Sequence, residues 1–202
     1  SASWSVESAR NDVENNPGRI IQIAVRPFDI RWTYYTGRTN GFHARPRKST
    51  PHLFINNLAI VAKRQTKEAE FSSAWVVNKP INEGFFSIDP RGRETIFPLW
   101  LDQKQDGDNS ATLELGKVCN LQINNLPMKY RDQNPNEIFC YIYGVLNSTI
   151  YRSRFIQELK MAFPRIPFPN SHRVFKSVAE LGENLCALHT GPFVGPSRFT
   201  IE

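Results

Sequence analysis

The chain changes character after Pro127, and this change most constrains how it can fold. Before Pro127, short runs of β-branched and aromatic residues alternate with Pro, Gly, Asn and Asp, the pattern of strands joined by turns. After Pro127, apolar residues recur every three or four positions, as on one face of an α-helix. This order predicts an α+β protein, in which a mixed or antiparallel sheet body is followed by about three helices.

The first part contains two neighbouring extended runs that should pair. Residues 19–25 are rich in Ile and Val, and residues 30–35 resume an extended run after a corner at Pro27 and Asp29. In the second run, alternation places Ile30, Trp32 and Tyr34 on one face and Arg31, Thr33 and Tyr35 on the other. We expect one face to pack and Arg31 to project outward from the other. Further strands are predicted at residues 58–62, 71–77, 85–88 and 96–101, a helix start at residues 49–51, and an exposed loop at residues 103–109.

Three helices are predicted from apolar spacing in the second part. Their apolar positions are Ile138, Tyr141, Ile142 and Val145; Tyr151, Phe155 and Leu159; and Val174, Val178, Leu181, Leu185 and Leu188. Ser148 and Ser171 are placed to cap the second and third helices. Three prolines at residues 163–169 predict an extended, polyproline-like segment between them.

The sequence also predicts how the chain is divided. Residues 1–18 are expected to be a linker or helix from a longer parent chain, because the chain opens without Met. Residues 19–127 are expected to form the sheet-rich body, and residues 128–202 the helical closing section of the same domain. The longest apolar run has six residues, so we expect no membrane partner and a cytoplasmic location. Three widely spaced cysteines predict neither a disulfide framework nor a zinc site.

Positive charge is concentrated in one fifth of the chain. The whole chain has 25 Lys and Arg against 19 Asp and Glu, whereas residues 26–67 alone carry nine basic residues and one acidic residue, a net charge of +8. The remainder carries 16 basic and 18 acidic residues, a net charge of −2. Aromatic and Asn side chains lie among the basic ones, which favours a folded surface for nucleic acid. A solvated basic face without a ligand is the alternative.

Motifs for catalysis are absent from the sequence. It contains no Gly-rich phosphate loop, and the Asn-Pro and Asp-Pro pairs lack the second Pro and the aromatic residue that an adenine methyltransferase needs. Glu158 and Lys160 have a nuclease-like spacing, but positions i and i+2 of a helix point apart. The four histidines show no metal-ligand spacing. We therefore expect no catalytic residue and no metal site.

Several short motifs, in order, resemble one known family. They are RPFDIRWTYY at residues 26–35, GFHARPR at residues 41–47, VAKRQ at residues 61–65, FPL at residues 97–99, FCYIYGVLNS at residues 139–148, YR at residues 151–152 and FPRIP at residues 163–167. Together they resemble the C-terminal specificity region of single-polypeptide Type I (Type ISP) restriction-modification enzymes and related N6-adenine DNA methyltransferases. The similarity covers most of the chain between residues 19 and 189.

The resemblance implies a target recognition domain that follows a methyltransferase core in a larger restriction-modification or phage-defence enzyme. The implied partners are double-stranded DNA and the adjacent methyltransferase domain. The fragment alone would not be an enzyme and would need no cofactor, whereas S-adenosylmethionine, ATP and Mg²⁺ would serve other domains of the parent. A general binder of single-stranded DNA or RNA, or a protein-docking domain, is the alternative.

The candidate DNA-binding residues all come from the basic segment. Turn and loop positions are favoured as base contacts, because a loop could enter a DNA groove. The end of the third predicted strand could supply phosphate contacts and one amide. Arg26 and Asp29 could form an ion pair at the corner instead of contacting DNA. The candidates are Arg31, Arg38, Asn40, His43, Arg45, Arg47, Lys48, Lys63, Arg64 and Gln65.

Overall fold

The structure is a computed structural model that describes residues 4–66, 69–86, 93–102 and 117–191. Strands dominate the first half of these residues and helices the second, which confirms the α+β prediction. The helices are α1 (Val6–Asn15), α2 (Pro135–Asn147), α3 (Thr149–Arg154), α4 (Ile156–Met161) and α5 (His172–Thr190). The strands are β1 (Arg19–Arg26), β2 (Asp29–Tyr35), β3 (Ala59–Lys63), β4 (Ala74–Val77), β5 (Glu94–Pro98), β6 (Trp100–Asp102) and β7 (Lys117–Cys119).

The strands form three small antiparallel sheets among the described residues. β1 pairs with β2 as a hairpin, as predicted, β3 lies between β4 and β5, and β6 pairs with β7. The predicted strand at residues 96–101 is divided at Leu99 into β5 and β6. Phe85 and Phe86 lie outside the strands, and residues 87, 88 and 103–109 lie outside the described residues. The helix predicted to start at residues 49–51 is only a 3₁₀ turn, Pro51–Leu53.

The hairpin packs through the face that carries the predicted outward residues. Trp32 is 69% exposed and Ile30 is 46% exposed, whereas Ile21 and Ile23, on the opposite face, are buried. Ile23 lies opposite Arg31 in the register and shares its face. The segment that follows β2 lies on this face, where His43 contacts Thr33 and Tyr35, and it borders a pocket together with Ile21, Ile23 and residues 80–83. These long-range neighbours decide which face is covered. Arg31 itself is exposed, as predicted.

Helices α2 and α5 pack together and cover the three-stranded sheet. The prediction that Val174, Leu181 and Leu188 face the core is wrong, because these side chains are 49 to 65% exposed. The buried face of α5 carries Phe175, Ala179, Gly182 and Cys186 instead. A Cβ atom on Gly182 would lie 1.9 Å from the Cys140 carbonyl oxygen of α2. The small residue permits this close approach and sets the rotation of the helix.

The predicted caps and the extended segment are confirmed. Ser148 accepts a hydrogen bond from the backbone N–H of Tyr151, and Ser171 accepts one from that of Val174. The second predicted helix is divided at Phe155 into α3 and α4.

Three tyrosines fasten the extended segment to the helices. The hydroxyls of Tyr151, Tyr141 and Tyr130 donate to the carbonyls of Arg165, Pro167 and Pro169, at 2.7, 2.5 and 2.7 Å. Alternate carbonyls of a segment without helical hydrogen bonds are satisfied in this way. These tyrosines therefore belong to the core, and the extended segment is part of the helical layer.

Neither a membrane-spanning helix nor a metal site is found in the part of the chain that the structure describes. No helix there has the length and apolar character needed to cross a bilayer. No cluster of three or more His, Cys, Asp or Glu side chains there could hold a metal ion. The division of the chain at residues 18 and 127 stays a prediction.

Candidate nucleic-acid interface

Most candidate residues lie on the segment that connects β2 with the 3₁₀ turn, residues 36–50, which we call the basic loop. Within it, the Gly41 N–H donates to the Arg38 carbonyl at 3.4 Å, and the Asn40 N–H donates to the Ala44 carbonyl at 3.0 Å. Gly37 and Asn40 adopt positive φ angles of 78° and 57°. Gly and Asn tolerate this left-handed conformation better than other residues. The sequence thus allows a compact, internally hydrogen-bonded turn around Arg38.

A carboxylate of α1 holds the start of the basic loop. Oδ2 of Asp12 accepts hydrogen bonds from the Thr36 hydroxyl at 2.6 Å and the Phe42 N–H at 2.7 Å. Oδ1 accepts one from the Asn16 side-chain amide at 3.1 Å. Burial acts to raise the pKa of Asp12, but these hydrogen bonds and the charge of Arg38 outweigh it and lower the pKa. Asp12 is therefore ionised when it binds the loop.

His43 fastens the middle of the loop to the hairpin. Its Nε2 atom lies 3.1 Å from the Thr33 hydroxyl oxygen, and its ring contacts the rings of Tyr35 and Phe42. Burial lowers the pKa of His43 against the opposing effect of a hydrogen bond with the Tyr34 backbone. At neutral pH the imidazole is uncharged, so it adds no positive charge to the surface.

A second buried carboxylate holds the end of the loop. The guanidinium of Arg47 donates to the Glu94 carbonyl oxygen at 2.8 Å and to its Oε2 atom at 3.2 Å. The Glu94 side chain is 2% exposed and also accepts the Phe86 N–H at 3.1 Å. Arg47 is 22% exposed, so this pair is far less screened than a surface ion pair. Arg47 thus anchors the loop to β5.

The remaining basic side chains of the loop are accessible to solvent. Arg38, Arg45 and Lys48 are exposed. They extend from a backbone that is fixed at its start by Asp12, in its middle by His43 and at its end by Arg47. Three cations on a fixed loop provide the charge and the reach that phosphate and base contacts require.

Arg31 is exposed but ion-paired. Its guanidinium forms two hydrogen bonds with the Asp29 carboxylate, at 3.0 and 2.8 Å. The hydrogen bond from Arg31 is also the main cause of the lowered pKa of Asp29. Arg26 donates to the Val25 carbonyl at 2.9 Å. The ion pair at this corner therefore joins Asp29 to Arg31, and contact between Arg31 and a phosphate would compete with it.

The three candidates at the end of β3 have different surroundings. Lys63 is 2% exposed and lies directly opposite Glu94 in the register of β3 and β5. Arg64 and Gln65 are exposed, and the Gln65 amide donates to the Met161 carbonyl at 3.4 Å, at the end of α4. Lys63 therefore lies beside the carboxylate that binds Arg47 of the basic loop, whereas Gln65 contacts the end of α4.

Sequence reasoning missed Asp12 and Glu94, the two carboxylates that hold the loop. Asp12 lies 24 residues before Thr36, and Glu94 lies 47 residues after Arg47. No spacing rule joins acids and donors over such intervals. Only the structure distinguishes Asp12 from other acids: it is the one buried residue of α1, whose other residues are exposed or half-buried.

Protonation of the half-buried His43 and His189 is expected to destabilise the protein as the pH falls below neutral. Burial lowers the pKa of His43, and burial together with the charge of Arg152 lowers that of His189. Unfolded His has a pKa of about 6.5. The unfolded chain therefore takes up protons first, and the free energy of unfolding should decrease from about pH 7 to about pH 5.

Denaturant unfolding across this pH range measures the effect. His43→Gln and His189→Gln should each flatten the dependence. An unfolding free energy that is constant over the range would contradict this interpretation.

The comparisons with known proteins give a consistent result. Residues 1–196 match the model of the family described as the Type ISP C-terminal specificity domain. The fold is similar to part of a nuclease-deletion mutant of the Type ISP restriction-modification enzyme LlaGI in complex with a DNA substrate mimic, with a TM-score of 0.56 and 22% identity. It is also similar to part of DrdV in a DrdV–DNA complex, with a TM-score of 0.60 and 22% identity.

These similarities extend over different shares of the chains compared. Each covers 85% of this chain, but this chain spans only 14% of the LlaGI chain and 16% of the DrdV chain. No curated protein shows significant sequence similarity to this chain.

Proposed function

The chain belongs to the Type ISP C-terminal specificity domain family, and from this premise we propose that it recognises a specific sequence in double-stranded DNA. It would do so as one module of a larger restriction-modification or phage-defence enzyme, with an adenine methyltransferase domain as its neighbour in the same polypeptide. The observation that carries the proposal is the exposure of Arg38, Arg45 and Lys48 on the basic loop. Hydrogen bonds to Asp12 and Glu94 hold this loop in place.

The chemistry of these side chains suits a DNA groove. Arg donates two parallel hydrogen bonds to guanine, whereas the Asn side-chain amide donates one hydrogen bond to adenine and accepts another from it. Lys neutralises phosphate. We assign base reading to Arg38, Asn40 and Arg45, and phosphate contact to Lys48. Arg31, Arg64 and Gln65 would make outer contacts. His43, Arg47 and Lys63 would act by maintaining the fold of this region, because they are paired or buried.

Catalysis is assigned to the other domains of the parent enzyme. The sequence contains neither a phosphate-binding loop nor a methyltransferase tetrad, so we propose that this chain alone transfers no methyl group and hydrolyses no nucleotide. S-adenosylmethionine, ATP and Mg²⁺ would be used elsewhere in the parent. We propose a cytoplasmic location, which such a DNA-binding function would need.

Titration of the 202-residue chain with labelled nucleic acids tests the proposal. We expect tighter binding to duplex DNA than to the single strand or to RNA, and a plot of log affinity against log salt with a slope of about −0.9 per phosphate contact. Repeated selection from a randomised duplex pool should enrich one sequence. Preference for single strands would favour a general single-strand binder, and absence of binding to all three would favour a protein-docking role.

A further inference from the structure

We propose that Asp12 is a positioning residue that holds the basic loop in the conformation that reads DNA. The inference rests on the proposed function and adds a residue from outside the basic segment. Asp12 is 5% exposed and lies on α1, so it would act through the loop rather than touch DNA.

One oxygen atom of Asp12 joins the two ends of the turn that carries Arg38 and Asn40. Oδ2 binds both the Thr36 hydroxyl and the Phe42 N–H. These donors flank the turn on either side, so the carboxylate fixes the distance between its ends. Hydrogen bonds from neutral donors to a buried carboxylate are stronger than those between neutral groups.

The loop depends on such polar contacts because it is not packed over its whole length. A cavity of about 220 Å³ lies between the basic loop, the hairpin and residues 80–83, lined in part by Ile21, Ile23, Tyr35, His43, Arg45 and Arg47. Side chains that border this pocket have fewer protein packing partners on that side. The hydrogen bonds of Asp12 and Arg47 hold the loop where this packing is missing.

The absence of a side chain at Gly41 leaves room for the Asp12 carboxylate beside the basic loop. A Cβ atom at this position would lie 2.1 Å from Oδ2 of Asp12, so a side chain there would displace the carboxylate. The indole N–H of Trp4, two residues before the first residue of α1, donates to the Gly41 carbonyl at 2.9 Å. The start of the basic loop is therefore closely fitted to α1 and to Trp4.

A purely electrostatic role and a positioning role of Asp12 predict opposite effects on DNA binding when Asp12 is removed. Removal of an acid should strengthen DNA binding, because it removes repulsion from the phosphates. Removal of a positioning residue should weaken binding to the preferred sequence. Glu14 is a matched control, since it is an exposed acid on the same helix and its removal changes the net charge equally.

The experiment compares Asp12→Ala, Asp12→Asn, Thr36→Val and Glu14→Ala with the wild-type chain. The probes are the duplex enriched from a randomised pool by the wild-type chain and a scrambled version of it. We expect Asp12→Ala to bind the enriched duplex about tenfold more weakly or worse, the factor for removal of one charge-assisted hydrogen bond. Its preference over the scrambled duplex should fall with it. Glu14→Ala should bind as the wild type does, or more tightly.

Two further measurements separate positioning from general stability. Asp12→Asn retains an acceptor for the loop and should recover part of the preference, and Thr36→Val should lose part of it while the carboxylate stays in place. Trypsin should cleave after Arg38 faster in Asp12→Ala than in Glu14→Ala without DNA, at a temperature where denaturant curves show both chains folded.

The outcomes distinguish this inference from the proposed function. If the wild-type chain enriches no duplex, the proposed function fails and this inference with it. If the wild type does enrich one, and Asp12→Ala prefers it as strongly as Glu14→Ala does, the proposed function stands and the role of Asp12 is refuted. Faster cleavage after Arg38 without loss of preference would equally refute it.

Discussion

Gly182→Ala is expected to lower the free energy of unfolding by about 3 kcal/mol, the upper part of the range for overpacked cores. The new Cβ atom would lie 1.9 Å from the Cys140 carbonyl oxygen and 3.0 Å from the Gly144 nitrogen. Both are backbone atoms of α2, so neither can rotate away. α5 would have to move off α2, which would disturb the buried contacts of Phe175 and Ala179.

The sign of this change makes it diagnostic. On an exposed helix, replacing Gly by Ala stabilises by about 1 kcal/mol, because Ala has the higher helix propensity. Denaturant unfolding with circular dichroism measures the difference, and Glu183→Ala, at the exposed neighbouring position, is the control and should change stability by less than about 0.5 kcal/mol. A Gly182→Ala chain as stable as the wild type would show that the two helices do not approach so closely.

The same contact explains where sequence reasoning about the helices succeeded and failed. The spacing of apolar residues and the Ser caps predicted α5, because these signals are local. The buried face was predicted only in part: Val178 and Leu185 pack against the core, whereas Val174, Leu181 and Leu188 are exposed. Leu and Val were given more weight than Gly182 and Ala179. Hydrophobicity ranks residues by the area that they bury, whereas two helices approach most closely where side chains are small.

Strand pairing shows a similar limit. The hairpin of β1 and β2 followed from two extended runs and a turn, but its covered face was decided by the later segments that border a pocket with Ile21 and Ile23. Alternation divides a strand into two faces without saying which one a distant segment covers. The sequence therefore did not predict that the Trp32 side chain is 69% exposed.

The candidate site could be located from the sequence but not divided by role. The concentration of charge in residues 26–67 identified the loop, since charge density is a property of composition. Whether a given Arg reaches solvent depends on the nearest carboxylate, and Arg47 is paired with Glu94 from another strand. The surroundings of Arg47 and Arg45, two residues apart, therefore differ for reasons that no local pattern contains.

The largest effect on function is expected when Arg38, Arg45 and Lys48 are replaced together by Ala. If one of the arginines reads a base, its loss alone costs about 1 to 3 kcal/mol on the preferred duplex. The triple variant should therefore bind that duplex about 100-fold more weakly or worse at a fixed salt concentration. The slope of log affinity against log salt should become shallower by about 0.9 for each phosphate that the variant no longer neutralises.

A second triple variant keeps this test specific to the loop. Arg154, Arg165 and Arg173 are exposed cations of the helical half, and their replacement by Ala removes the same three charges. If only net charge attracts DNA, both variants should lose affinity equally. If the basic loop is the interface, the control should keep nearly all of its affinity and salt dependence. Equal losses would mean that recognition depends on a different surface.

Single variants then separate base reading from phosphate contact within the loop. Loss of Arg38 or Arg45 should weaken binding to the preferred duplex much more than to its scrambled version, because the scrambled duplex already lacks the matching base edge. Loss of Lys48 should weaken both alike, because phosphates are the same in every sequence. If Arg38→Ala and Arg45→Ala instead weaken both duplexes equally, the loop contacts DNA without reading it, and the specificity of this domain must come from elsewhere in the chain.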